Sequence, residues 1–299
     1  MGLSWLCVRF FYVFKWRRDW NGFQKGREWK QKMITGSIVL YHSEQKVIER
    51  VIDSFGIYEG HRLFLIDNSE TETDAYLNRT NIEYIFNGKN FGYGTAHNIG
   101  IQRAVDCGAD YHVVLNPDLS FESVVIDELV KYADKNRDVV YILPKVISPN
   151  GELQYLCKLL PTPFDLIFRR FMPQIRIIRK RNDKYVLKKT GYQKIMNPPC
   201  LSGCFMFLRV SALKENDLRF DERFFMYCED FDFIRRLHRI GKTIYYPEVS
   251  IVHEHGQESY KNWKMLRMHM RSACQYFGKY GWVFDRERWE MNGRILKEI

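Results

Sequence analysis

The sequence predicts an α/β fold, a mostly parallel sheet with helices on both faces. Three observations carry that prediction. Short apolar runs alternate with runs at helical spacing from Met33 to about residue 143. Two of the apolar runs end in polar clusters, Asp67-Asn68-Ser69 and Asn116-Pro117-Asp118. Ligands gather beyond the carboxyl ends of strands in sheets of this kind. No stretch of about 18 apolar residues occurs, so no segment has the pattern of a membrane span.

Taken in order, Ser37–Tyr41 reads as a buried strand and Glu44–Phe55 as a helix, with Val47, Val51, Ile52 and Phe55 on one face. Arg62–Ile66 is a second strand and Tyr84–Phe86 a short third. The Gly-rich run Asn87–Gly94 opens a helix at Gly94–Val105, where glycines let backbone approach a ligand and the helix start favours phosphate. Tyr111–Leu115 is a fourth strand, Val124–Asn136 a helix and Val139–Leu143 a strand. Residues 144–195 hold five prolines and read as an irregular excursion from the sheet. Leu201–Leu208 returns as a buried strand carrying Ser202-Gly203-Cys204. Thr243–Tyr245 and Val249–Val252 are short strands, and residues 261–278 have a helical pattern.

The net charge of +10 is unevenly placed. Residues 1–32 carry eight Lys/Arg against two acids, and residues 169–189 nine against one, so the rest of the chain is slightly acidic. Such basic segments suit anionic membrane surfaces, phosphates or nucleic acid. No nucleic-acid-binding module accompanies them, so a nucleic-acid partner is not expected. The first 32 residues interleave Trp and Phe with Arg and Lys. They read either as an interfacial anchor or as an extension ahead of a start at Met33. Seven scattered cysteines without paired metal spacing read as free thiols of a reducing compartment.

The chemistry concentrates in three places. Glu229, Asp230 and Asp232 stand within the aromatic run Phe224–Asp232. Carboxylates among aromatics suggest a lined cleft and suit general-base work. Asp232 is the more structural of the three, and Arg235 and Arg236 could neutralise a diphosphate or pair with these acids. Asp118 follows a proline that fixes the turn, where one carboxylate can hold Mg²⁺ or Mn²⁺. His253 follows a Val/Ile-rich strand and heads His253-Glu254-His255-Gly256, a cluster of ligand types. Asp67 could accept from a nucleobase or ribose, or cap a turn.

In order, Ser37–His42, Leu65–Ser69, Asn90–Ile101, Leu115–Phe121, Ser202–Cys204, Phe220–Asp232 and His253–Tyr260 make the chain resemble family-2 glycosyltransferases of the GT-A fold. The resemblance is strongest to bacterial rhamnosyltransferase-type members. It covers about residues 33–285, with residues 286–299 left as a tail, and implies a Rossmann-like mixed, mostly parallel sheet. It implies that Asp67 contacts the base, that Asn98 lines the donor site, and that Gly92, Asn116 and Gly203 belong to that site. Asp118 matches the last acid of the family's metal motif, whose first acid is replaced by Asn116. Asp230 matches the catalytic base, Glu229 its neighbour, and His253, in preference to His255, a ligand of the metal or diphosphate. The implied reaction is inverting transfer from a nucleotide-diphosphate sugar, rhamnose first among candidates. The implied acceptor is a polyprenyl-diphosphate-linked or oligosaccharide chain in O-antigen or capsule synthesis. Mg²⁺ or Mn²⁺ is the implied cofactor. An anionic membrane is the implied surface, with the protein cytoplasmic and peripheral at the inner face of the membrane. The missing acid keeps one alternative open, a non-catalytic nucleotide-sugar or glycan-binding protein on the same fold.

Overall fold

The computed structural model describes residues 32–57, 59–168, 175–254 and 263–299. The N-terminal extension, part of the basic excursion and the His255-Gly256 pair lie outside the described residues. Met33–Ile299 forms one compact unit. Its elements are β1 (Ile34–Leu40), α1 (Gln45–Phe55), β2 (His61–Asp67), β3 (Ile82–Phe86), α2 (Tyr93–Asp106), β4 (Tyr111–Leu115), β5 (Leu119–Ser120), α3 (Val124–Lys135) and β6 (Val139–Ile147). Then follow α4 (Arg176–Tyr185), β7 (Phe205–Arg209), α5 (Val210–Glu215), α6 (Glu229–Ile240), β8 (Lys242–His253), α7 (Trp263–Tyr280) and α8 (Arg286–Glu298).

The strands form one sheet in the order β3-β2-β1-β4-β7-β6-β8-β5. Its first four strands are parallel, as the alternation predicts. β7 runs antiparallel between β4 and β6, while β6 and β8 are parallel to each other. This order sets where the site forms. Leu40 lies opposite Asp67, and Ile38 opposite Leu115, so β1, β2 and β4 end on one edge. Because β7 is reversed, its start comes to the same edge, Leu115 facing Phe205. The end of β8 arrives there too, His253 pairing with Leu119.

Burial explains the elements. α1 turns Ile48, Val51, Ile52 and Phe55 inward, and β4 is buried along its whole length. Three differences from the sequence reading have physical causes. The two short strands near residues 243–252 are one strand, β8, because the partner register jumps from Tyr246 to Ser250 and the bulge absorbs Pro247. Residues 201–204, read as strand, leave the ladder and turn toward α6. Residues 286–299, read as a tail, form a helix. Its Arg288 donates to the carbonyl of Pro161, and its Asn292 accepts from and donates to the backbone of Leu160.

The segment between β6 and β7 is less irregular than its prolines suggest. Its charged stretch folds as α4, fixed to a π-helical turn at Phe164–Phe168. There Arg181 reaches buried Asp165 at 3.1 Å and Thr162 at 2.9 Å.

Candidate active site

Two halves of a site meet at the shared sheet edge. One is built on the β4–β5 turn and the end of β8. Asp118 Oδ1 is buried and has no hydrogen-bond partner, and His253 Nε2 stands 3.4 Å from it. Gln154 orients that imidazole. Its amide nitrogen donates to the His253 carbonyl at 2.9 Å, which leaves its Oε1 facing Nδ1 at 3.1 Å. The pairing directs Nδ1 to Gln154 and Nε2 toward Asp118, the orientation that a metal-ligating histidine needs.

The other half is the start of α6. Tyr227 and Cys228 both adopt left-handed backbone, φ 67° and 63°, immediately before Glu229. Such conformations in non-glycine residues need surrounding contacts to hold them. Here Ser272 on α7 donates to the Met226 carbonyl at 2.7 Å, and the Tyr93 amide at the start of α2 donates to the Phe225 carbonyl at 3.1 Å. Gly92 permits that second contact. A Cβ at Gly92 would lie 2.2 Å from the Phe225 oxygen, and its φ is +88°. Gly92 thus shapes the site by letting these two segments touch.

Asp230 is partly exposed, whereas Glu229 is buried. Burial raises the pKa of both, and for Glu229, with the Asp230 charge added, to about 8. The two differ in what opposes burial. Lys158 and the backbone N–H groups of Phe231 and Gly203 favour ionised Asp230, whereas Glu229 has only its own N–H. Glu229 Oε2 has no hydrogen-bond partner. The balance of these contacts therefore favours the proton on Glu229 and the negative charge on Asp230. Gly203 comes close for this purpose, since a Cβ on it would lie 3.0 Å from the Asp230 Cβ.

Tyr93 ties the halves together. Its hydroxyl is 2.9 Å from both Asn116 Oδ1 and the Gly203 carbonyl. Burial raises its pKa well above normal, with further contributions from Cys204, Glu229, Asp230 and Asp118, so the phenol stays neutral. Asn116, with Oδ1 taken by Tyr93 and Nδ2 3.5 Å from His253, braces the turn.

Asp67 is buried at the end of β2, where Oδ1 accepts from Ser69 N at 2.8 Å and Oδ2 from the Tyr84 hydroxyl at 2.8 Å. Each oxygen keeps a second lone pair. Asn98, expected to line the donor site, is bonded to the protein's own backbone. Its carboxamide accepts from Phe220 N at 2.8 Å and donates to Phe220 O at 3.0 Å, so it clamps the chain that leads to α6. Arg235 and Arg236 are likewise engaged, Arg235 with Asp285 and Glu287 and Arg236 with Asp232. Tyr93, Gln154 and Lys158 are the residues that sequence reasoning missed.

The buried groups set a pH profile for stability. Burial holds His97 well below its normal pKa, His112 at about 3 and His238 at about 4. All three are neutral in the fold, so their contribution is full above about pH 6.5 and is lost as pH falls toward those values. Glu229 acts oppositely, because its pKa is raised. Its contribution is full below its unfolded value and is lost as pH rises to about 8. Each group shifts stability by up to about 1.4 kcal/mol per pH unit. Urea unfolding is expected to show a maximum near pH 6.5, with the alkaline limb flattened in Glu229→Gln. A wild-type limb that matches the variant would contradict the proton on Glu229.

Residues 37–216 match the family model described as glycosyl transferase family 2. The chain is 24% identical over 253 residues to rhamnosyltransferase WbbL of Escherichia coli, covering 81% of this chain and 92% of that protein. It is 27% identical over 254 residues to the N-acetylglucosaminyl-diphospho-decaprenol L-rhamnosyltransferase of Mycobacterium tuberculosis, covering 78% of this chain and 80% of that one. Among solved structures, that of GalNAc-T7 with UDP, GalNAc and Mn²⁺ superposes with a TM-score of 0.57 at 13% identity, over 86% of this chain and 51% of that one. The last likeness identifies the GT-A fold.

Proposed function

The chain belongs to glycosyl transferase family 2, and from that premise we propose that it moves rhamnose, with inversion, from a nucleoside-diphosphate donor to a lipid-linked glycan acceptor. The observation that carries the mechanism is the arrangement at the start of α6. There a partly exposed Asp230, whose charge Lys158 and backbone N–H groups favour, sits beside a buried Glu229 that favours its proton. Asp230 takes the proton of an acceptor hydroxyl, whose oxygen then attacks the anomeric carbon from the face opposite the diphosphate. Glu229 stays neutral and spares Asp230 a second negative charge. Tyr93 and Gly203 hold the acid against the β4–β5 turn. Asp67 faces the base with its remaining lone pairs.

Asp118 and His253 fit a divalent cation, Mg²⁺ or Mn²⁺. A buried carboxylate oxygen without a hydrogen-bond partner and an imidazole nitrogen stand 3.4 Å apart. Among the described residues no cluster of three ligand side chains exists, so these two would share the ion with donor phosphates, a division that magnesium commonly adopts. When bound, the ion would neutralise charge growing on the departing diphosphate.

The rhamnose assignment rests on the names of both relatives, and the lipid-linked assignment on that of the mycobacterial protein. We place the protein in cell-surface glycan synthesis, of the O-antigen or capsule kind, in the cytoplasm at the inner face of the membrane. Among the described residues no helix is long and apolar enough to cross a bilayer. The test is a thermal-shift screen against dTDP, UDP, GDP and CMP, each with Mn²⁺, Mg²⁺ or EDTA. A ligand at 100 times its Kd stabilises the fold by about 2.7 kcal/mol. A shift with dTDP that EDTA removes is expected. A shift with UDP alone would overturn rhamnose, and no shift with any nucleotide would overturn the donor site.

A further inference from the structure

The surface around the α7–α8 turn exposes more aromatic area than a soluble face needs. Val283 is 66% exposed, Phe284 81% and Trp289 56%, with Trp282 half-exposed beside them. Phe284 and Trp289 contact each other edge to face, their ring centroids 6.3 Å apart. Large exposed apolar groups that lie together mark an interaction surface.

The turn is held firmly from below. Asp285 caps α8 by accepting from Arg288 N at 3.0 Å and pairs with buried Arg235 at 2.6 Å. Arg288 donates to the carbonyls of Val283 at 2.9 Å and Pro161 at 3.3 Å. Trp282 packs on Phe277, 5.3 Å between centroids. The backbone that presents Val283 and Phe284 is therefore ordered before anything binds, which lowers the entropy cost of docking.

The neighbouring surface is cationic. α4 presents Arg176, Arg179, Lys180 and Lys184 to solvent, and Ile177 is 78% exposed among them. α4 and α8 are neighbours in the fold. They clasp the same segment, Arg181 through Thr162 and Asp165, and α8 through Leu160 and Pro161. They also line one cavity, Lys180 and Lys184 on one side and Leu296 and Ile299 on the other. Arg179 and Lys180 are among the exposed charges, whereas Arg181 is engaged with Asp165.

We propose that the Trp282–Trp289 turn inserts into the headgroup boundary of an anionic bilayer while α4 lies against its lipid phosphates. Tryptophan and phenylalanine suit that boundary, and each Lys/Arg near it adds roughly 1 kcal/mol of attraction. A neutral protein groove would match the aromatics but leave the cations of α4 without counter-charges. The inference rests on the transferase reading for its purpose, since it brings the enzyme to a lipid-linked acceptor.

The test is sedimentation of the full chain with vesicles of phosphatidylcholine alone or with 30% phosphatidylglycerol, without donor or acceptor. Wild type is expected to bind the anionic vesicles more tightly. Val283→Ser with Phe284→Ser should lower partitioning into both vesicles about tenfold. Arg179→Glu with Lys180→Glu should lower it about tenfold or more for anionic vesicles only. Wild type and variants all carry residues 1–32 unchanged, so each difference is read against the same background. Unchanged partitioning of the Val283/Phe284 variant overturns the proposal. So does a variant that binds vesicles like wild type but changes oligomeric state, which would assign the surface to a second copy. Thermal unfolding of each variant confirms its fold. Nucleotide-induced stabilisation reports the transferase reading separately, so either can fail alone.

Discussion

Asp230→Asn is expected to reduce turnover by about 10³-fold or more while nucleoside diphosphates still stabilise the protein as they do the wild type. General-base catalysis contributes roughly 10²–10⁴. An asparagine keeps the shape and can still accept from Phe231 N, a bond of 2.8 Å in the native protein. What it loses is the ability to take a proton. Glu229→Gln is the informative partner. If Glu229 is neutral, an amide reproduces it, and turnover near neutral pH should stay within about tenfold of wild type. The acid limb of kcat/KM should follow Asp230, whose pKa burial raises. Activity is therefore lost as pH falls, beginning above the ordinary carboxylate range. A Glu229→Gln loss as large as that of Asp230→Asn would exchange the two roles. Lost nucleotide stabilisation in Asp230→Asn would point instead to damage at the Gly203 contact.

The pattern of the chain singles out Asp230 as the candidate base, though not what controls it. The parallel half of the sheet is legible because each strand is a short apolar run followed by a helix or turn signal. Asp118, Asp230 and His253 are legible because polar groups at strand ends and among aromatics are unusual. The antiparallel insertion of β7 is not legible. Nothing in Phe205–Arg209 records its direction, yet that reversal brings Gly203 to Asp230 and Cys204 to Asn116. Gln154 lies 99 residues from His253 in sequence, inside a segment that reads as irregular. Tyr93 and Lys158 likewise act across long separations, on Gly203 and on Asp230. Asn98 shows the same limit from the other side. The motif places it correctly on α2, but a carboxamide that has both a donor and an acceptor can satisfy a buried backbone as well as a ligand. Here it bonds both polar groups of Phe220. Sequence position thus specifies the element, and only the packing decides what the side chain touches.

The largest effect on donor binding is expected at Asp118. Asp118→Asn should remove the EDTA-sensitive part of nucleoside-diphosphate stabilisation and lower kcat/KM by about 10²–10³, in line with the several kcal/mol that such an ion supplies. The reasoning turns on Asn116. With no first acid in the motif, the turn offers one carboxylate oxygen and a histidine nitrogen 3.4 Å apart, so neither ligand has a substitute among the described residues. His253→Ala should therefore resemble Asp118→Asn. Gln154→Ala should be milder, because it keeps both ligands and frees only the imidazole. Loss of an outer partner typically weakens metal affinity 10–100-fold. That variant should then recover nucleotide stabilisation as Mn²⁺ is raised, whereas Asp118→Asn should not. Recovery separates a group that orients a ligand from the ligand itself. Nucleotide stabilisation of the wild type that ignores EDTA, and survives in Asp118→Asn, would leave the Asp118–His253 pair a structural contact. Charge on the departing diphosphate would then have to be met by side chains, and Lys158, whose charge acts on Asp230, is a candidate for that task.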